Sequence, residues 1–297
     1  MISQGSLVIC PIATMLDDQE ELDVPSFRRL IERLVPAVDG LFGLGSSGEF
    51  ATLRGAVKSH AVRELVTCVS GRVPVYAGVG DTSTARAIEN LAQYVDLGVD
   101  AVVACAPYFF SAPDQAALAR HFTAIADRST VPVLLYNIPQ YTGASLAPST
   151  VDHLAQHPNI VGIKDSSGDL ILFQEFLAAR SPRFRVFQGR EHLAAASLWL
   201  GADGIISSLA NVAPELFRSL DAAVQSGDRA SSLRLQREMA AAARLFGVSH
   251  FVTGLKGALR MQGIGGGQVA RPLPSLTDSE AEHIRAVLVA GGLGPAA

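Results

Sequence analysis

Tryptophan occurs once, methionine four times and cysteine three times in 297 residues, and aromatics reach only 6%. Cys10, Cys68 and Cys105 are odd in number, widely spaced and without a CxxC pair. They do not read as a disulfide framework; they read as buried thiols in a reducing compartment. The formal net charge of -4 leaves no basic footprint, so a nucleic-acid partner is not expected. No apolar run reaches the length of a bilayer crossing, and no charged region followed by a hydrophobic signal core opens the sequence. A chain without a membrane, cytoplasmic in location, is the expectation.

What is present is a core. Hydrophobic residues at 48% against 18% charged indicate a well-filled globular interior. Eight short runs rich in Val, Ile and Leu recur: Leu7 to Ile12, Gly40 to Leu44, Val73 to Val79, Ala101 to Ala106, Val131 to Tyr136, Ile160 to Lys164, Arg185 to Gln188 and Gly204 to Ser208. Their hydrophobicity is continuous, as in parallel strands buried on both faces. Helically patterned segments alternate with them, some with start signals such as Asp81-Thr82-Ser83 and Ala112-Pro113-Asp114. Eight such units define an α/β fold, a (β/α)8 TIM barrel, with a doubly wound sheet as the alternative. After Asn211 the pattern is helical only, which predicts a barrel over residues 1–225 and a C-terminal helical extension over 226–297.

Lys164 ends the sixth run, in Gly162-Ile163-Lys164-Asp165. A buried ammonium is disfavoured, and its neutral amine is a nucleophile for carbonyl carbon. The plainer alternative is a strand-end lysine reaching solvent or pairing with Asp165. Active sites of such barrels lie at the carboxyl ends of the strands. There stand Gly45-Ser46-Ser47-Gly48-Glu49, Gly78-Val79-Gly80-Asp81, Tyr136-Asn137, Lys164-Asp165-Ser166-Ser167, Gln188-Gly189-Arg190-Glu191 and Ser207-Ser208. An amine condenses with a ketone to an iminium, an electron sink for the adjacent carbon–carbon bond. A phenol beside it can shuttle protons, and the Ser46–Ser47 turn offers donors to a carboxylate. The set points to a 2-oxo acid held as a Schiff base.

Gly45-Ser46-Ser47-Gly48-Glu49, Tyr136-Asn137-Ile138-Pro139 and Gly162-Ile163-Lys164-Asp165, with Ala210-Asn211-Val212-Ala213-Pro214 and Leu255-Lys256-Gly257-Ala258-Leu259, resemble the dihydrodipicolinate synthase and N-acetylneuraminate lyase family of class I aldolases. The resemblance covers nearly the whole chain. It implies Lys164 as the Schiff-base lysine for pyruvate, Tyr136 as proton relay, and Ser46 and Ser47 as carboxylate and relay contacts. Gly45, Gly189 and Ile206 would line the pocket. It also implies a homotetramer with no metal and no organic cofactor.

Two positions depart from the family. Synthases carry an arginine two residues after the proline of the tyrosine motif, and here that residue is Tyr141. A phenol cannot clamp a carboxylate bidentately, which argues against a lysine-pathway synthase. Phe109 stands where many relatives place a tyrosine that crosses into the neighbouring subunit's site. Gly48-Glu49-Phe50 and Lys164-Asp165-Ser166-Ser167-Gly168-Asp169 look more like aldolases of 4-hydroxy-2-oxoglutarate and 2-keto-3-deoxy sugar acids, with Ser166 as a hydroxyl contact. Glu191 and His192 partly match the sugar contacts of sialic acid lyases. The expectation is an aldolase releasing pyruvate and an aldehyde from a 2-oxo-4-hydroxy acid. The alternatives are a family dehydratase, the synthase itself, or a non-catalytic binding protein.

Simpler readings cover the remaining features. His153 and His157 stand four apart, but Pro158 ends the helix and no third ligand is near, so they are a solvated pair. Gly263 to Gly267 is a flexible turn. Glu49 is a buried structural acid, and Trp199 is core packing.

Overall fold

The computed structural model describes residues 6–110 and 114–294. Eight strands form one closed, all-parallel barrel in chain order: β1 Leu7–Pro11, β2 Gly40–Gly43, β3 Val75–Gly78, β4 Ala101–Cys105, β5 Val133–Asn137, β6 Ile160–Asp165, β7 Arg185–Gln188 and β8 Gly204–Ile206. The ring closes where Leu7, Val8 and Ile9 pair with Gly204, Ile205 and Ile206. All eight expected runs are strands; seven of the sixteen ends are trimmed by one or two residues, and β5 and β6 each run one residue further than expected. The barrel has eight parallel strands and no open edge, so the doubly wound alternative is excluded.

Among the described residues, twelve α-helices surround or follow the strands: α1 Val24–Leu34, α2 Gly55–Val69, α3 Thr84–Asp96, α4 Gln115–Arg128, α5 Pro139–Thr142, α6 Pro148–Leu154, α7 Leu170–Leu177, α8 Ala194–Trp199, α9 Pro214–Gln225, α10 Arg229–Ala242, α11 Phe251–Met261 and α12 Asp278–Ala290. Their starts are chemically marked. Asp23, Ser83, Asp114, Asp169 and Asp228 each accept an N–H of the first turn, and Thr277 with Glu280 forms a reciprocal cap. Such caps contribute about 1 kcal/mol each. Ala112 and Pro113, part of the expected start of α4, lie outside the described residues.

Strand parity sorts the core into two shells. Ile9, Phe42, Val103, Leu134, Tyr136, Phe187 and Ile206 point into the barrel and form one cluster. Residues such as Val8, Leu41, Val102, Leu135, Ile163 and Val186 point outward and pack against the helices. Carboxylates secure the bottom of the barrel. Asp39, Asp100 and Asp203 lie just before β2, β4 and β8, and accept the N–H groups of Val8, Val75 and Val186 at 2.7, 2.8 and 2.8 Å. At the opposite rim, Asn211 Nδ2 donates to Pro11 O at 2.9 Å while its Oδ1 accepts from Ala13 at 3.0 Å. That one amide ties the end of β1 to the segment after β8.

The helical segments after α9 fold back over the mouth. Lys256 on α11 is wholly buried, as is the side chain of Glu49, with which it pairs. Lys256 Nζ also donates to Gln268 O at 2.7 Å, and Glu49 Oε2 accepts from Ala270 N at 2.8 Å. Glu49 is the buried structural acid expected. Trp199 is not core: it is 41% exposed, its Nε1 donating to Ser232 Oγ at 3.1 Å and Arg229 lying 5.7 Å over its ring. It sits at the C-terminal end of α8, where Trp199, Leu200 and Gly201 are all exposed. His157 meets Asp127 at 3.1 Å while His153 is exposed.

Candidate active site

Parity and register bring the expected nucleophile and relay together. Tyr136 on β5 pairs with Lys164 on β6, and Lys164 with Phe187 on β7, so all three point inward at one level. The Lys164 Nζ lies 4.1 Å from the Tyr136 ring centroid and 5.4 Å from that of Phe42. Lys164 is only 4% exposed, yet it makes no hydrogen bond or ion pair among the described residues. Asp165 is not its partner. It points to the opposite face of the sheet, where its carboxylate accepts from Asn137 Nδ2 at 2.7 Å and Ser167 Oγ at 2.8 Å. Burial pushes the Asp165 carboxyl above its usual range, against those hydrogen bonds.

Gly189 makes room for the lysine. A Cβ built there would lie 2.8 Å from Asp165 O and 3.1 Å from Lys164 Cε, and would also strike Ser166 Oγ. Only a glycine permits β7 to end this close to the amine.

The second strand's exit supplies hydroxyls. Leu44 and Glu49 both adopt left-handed backbone conformations, with φ of 56° and 58°, and between them Ser46–Gly48 makes one 3-10 turn. Two non-glycine residues held this way bracket a tight loop, strain of the kind that clusters at functional sites. Ser46 Oγ is 3.5 Å from the Tyr136 hydroxyl. Ser47 Oγ is 2.5 Å from Ser208 Oγ, beyond β8. The chain thus runs from Lys164 past Tyr136 to Ser46, with Ser47 and Ser208 beside it.

These groups border a cavity of about 420 Å³. Of the expected residues, Ser46, Ser47, Tyr136, Tyr141, Lys164, Ser166, Gly189 and Glu191 line it. Gly45, Ile206 and Phe109 do not. Gly45 lies behind the serine turn, where a Cβ would meet the Phe42 ring. Ile206 packs in the barrel interior with Ile9 below the cavity floor. Phe109 is 83% exposed, at a left-handed φ of 83°, with Phe110 edge-on at 5.0 Å. The cavity adds Gln140, Arg190, His192, Ser208, Arg244 and Phe251, several of which the sequence did not single out.

Glu191 is buried on this wall. Burial raises its carboxyl, but the His192 imidazole 3.5 Å away and a hydrogen bond from Ser207 Oγ at 2.8 Å more than offset that and hold it below the usual range. The same contact raises the His192 imidazole. A smaller apolar cavity of about 230 Å³ adjoins, sharing Ser46, Tyr136, Tyr141 and Phe251. There burial pushes the Tyr108 phenol and the Cys105 thiol up to about 12 each, so both are neutral at ordinary pH. No group of three or more His, Cys, Asp or Glu side chains that could hold a metal occurs among the described residues, nor is any described helix long and apolar enough to cross a membrane.

An unpaired lysine at the base of a barrel mouth, beside a phenol and a serine turn, is the equipment of a class I aldolase, an enzyme of the carbon–carbon lyase class. The sequence matches the dihydrodipicolinate synthetase family over residues 4–290, and the chain belongs to that family. A 4-hydroxy-tetrahydrodipicolinate synthase of Methylococcus capsulatus is 34% identical over 291 residues, 98% of this chain and 99% of its own. One from Stenotrophomonas maltophilia is 36% identical over 288 residues, 96% and 95% of the two chains. Among solved structures, YagE, a prophage protein of the dihydrodipicolinic acid synthase family from E. coli K12 in complex with pyruvate, superposes with a TM-score of 0.93. It is 31% identical and covers 98% of this chain and 100% of that one. Membership in a family of lyases removes the non-catalytic alternative. The synthases among the relatives also mean that Tyr141 alone does not disfavour synthase activity.

Proposed function

We propose that the protein is a pyruvate-dependent aldolase that cleaves a 2-oxo-4-hydroxy acid, of the 2-keto-3-deoxy sugar acid or 4-hydroxy-2-oxoglutarate type, to pyruvate and an aldehyde. The observation that carries this reading is Lys164: buried, without a hydrogen-bond or ion-pair partner among the described residues, lining the cavity and 4.1 Å from the Tyr136 ring. Solved relatives in complex with pyruvate, YagE and a synthase from Acinetobacter baumannii, support the choice of 2-oxo acid.

In this reading the Lys164 amine adds to C2 of the substrate, and loss of water gives an iminium. Tyr136 takes the proton of the C4 hydroxyl and passes it toward Ser46. The C3–C4 bond breaks, its electron pair moves into the iminium to give an enamine, and the aldehyde leaves. Return of a proton to C3 and addition of water then release pyruvate and the free amine. Proton transfer by a positioned group is worth about 10²–10⁴-fold in rate. Ser47 and the N–H groups of its turn hold the C1 carboxylate, so the electron sink stays aligned with the breaking bond.

A second reading, the synthase, runs the same enamine in the direction of carbon–carbon bond formation, and the names of the relatives favour it. A dehydratase would expel water from the same iminium. Exposed Phe109 and Phe110 give the expected homotetramer a surface to cover, and three free thiols suit a reducing, cytoplasmic setting. The division at residues 225 and 226 belongs to this reading as well, with Arg244, Phe246 and Phe251 of the second part reaching the mouth. Pyruvate release from 2-keto-3-deoxy acids and from 4-hydroxy-2-oxoglutarate, followed with lactate dehydrogenase, tests the proposal. Turnover of pyruvate with aspartate 4-semialdehyde, without release from any hydroxy acid, would replace it with the synthase.

A further inference from the structure

We infer that the end of the substrate remote from Lys164 carries a carboxylate, held by Arg190 and Arg244. The inference rests on the aldolase reading and specifies its substrate class as acids with a second, terminal carboxylate.

The position from which family synthases grip such a group holds Tyr141, a half-exposed phenol packed 6.2 Å from the Phe251 ring. Two guanidinium groups stand elsewhere on the same wall. Arg190 follows β7, and its orientation is fixed: the backbone N–H donates to Gln188 Oε1 at 2.8 Å, and Nε donates to Ser166 O at 3.0 Å. Gln188 is itself wholly buried and held by Ser197 Oγ at 2.9 Å. With Nε so engaged, the two terminal amino groups of Arg190 have no partner among the described residues. Arg244, in the turn after α10, is exposed, lines both this cavity and a second one beside α12, and likewise makes no hydrogen bond or ion pair among them.

Two further observations point to a ligand between these groups and the lysine. Ser166, 3% exposed and lining the cavity, has no hydrogen-bond partner for its Oγ among the described residues. A buried hydroxyl without a partner costs stability unless something that fills the cavity satisfies it. The charge count is also unbalanced. Glu191 is the one carboxylate among the lining residues, and its oxygens are taken by Ser207 Oγ at 2.8 Å and by His192 at 3.5 Å. Two arginines therefore line the cavity without an acid of their own. The substrate's first carboxylate is accounted for at the Ser46–Ser47 turn, at the inner end. A planar carboxylate at the outer end matches the fork of an arginine side chain.

The test compares six-carbon substrates that differ only at the terminus: a 2-keto-3-deoxyaldonate ending in a hydroxymethyl group, the corresponding 2-keto-3-deoxyaldarate ending in a carboxylate, and the aldonate 6-phosphate. Each is assayed for pyruvate release and for its ability to protect Lys164 from reductive trapping by pyruvate. Expected is a preference for the aldarate over the aldonate of at least about 10-fold in kcat/KM and in protection. R190Q and R244Q should each reduce that ratio about 10-fold or more, acting mainly through KM. Trapping of Lys164 with no preference for the aldarate, preference for the phosphate, or equal losses on aldarate and aldonate in both variants would overturn the inference while leaving the aldolase reading in place. Failure of pyruvate to trap Lys164 would overturn the aldolase reading itself, and this inference with it.

Discussion

Replacing Lys256 by methionine tests how the C-terminal helices hold the mouth together. Lys256 and Glu49 are both inaccessible to solvent and paired, so the substitution keeps the volume and removes only the cation. Removing one member of a buried pair leaves an uncompensated charge, which costs about 3–5 kcal/mol. The Gln268 carbonyl also loses its donor, although its second lone pair and the solvent side of that turn limit the added cost. Replacing both partners, as in E49L/K256M, should restore much of the loss, because two apolar groups no longer require pairing. The restoration is incomplete, since Ala270 N then lacks its acceptor, at about 1–3 kcal/mol. Urea unfolding followed by far-ultraviolet circular dichroism gives the three values. Equal stability of K256M and the wild type, or a double variant as unstable as the sum of the singles, would refute the view that this pair joins α11 to the serine turn.

Other expectations follow from the site. Tyr136→Phe keeps the ring against Lys164 and removes the hydroxyl, so cleavage should fall about 10²–10⁴-fold while reductive trapping of Lys164 persists; near-normal turnover would remove Tyr136 from the relay. Gly189→Ala places a methyl group against the backbone carbonyl of Asp165 and the Lys164 stem, and overpacking of this kind costs about 1–3 kcal/mol. The loss of kcat should exceed the loss of stability, and unchanged kinetics would refute the fit. His192 is raised by Glu191, so its contribution is present in acid and lost as pH rises through its folded value. Glu191 is lowered, so its half of the pair is present above the ordinary glutamate range and lost in acid. The contact is therefore complete only between the two, and nuclear magnetic resonance titration should show the His192 transition move down in E191Q.

The barrel was legible because its strands are buried on both faces and therefore read as unbroken apolar runs. Lys164 and Tyr136 could be found because each ends such a run, where side chains that point inward meet the mouth. Other features left no periodic signal. The Glu49–Lys256 pair joins residues far apart in the chain, and neither neighbourhood shows that the other is near. Arg190 follows β7 and Arg244 lies in the turn after α10, where a cation in a cavity wall looks like any solvated one. The short helix α5 escaped notice because Pro139-Gln140-Tyr141-Thr142 reads as a loop, although proline is well suited to a first helical position. Trp199 is exposed rather than core because the C-terminal end of α8 faces outward.

The most direct measurement is reduction of the full-length protein with borohydride in the presence of pyruvate, followed by intact mass and peptide mapping. A single carboxyethyl adduct on Lys164, absent without pyruvate and absent from K164A, is the expected result. An unmodified folded protein, or an adduct confined to other lysines, would contradict the Schiff-base mechanism at its first step.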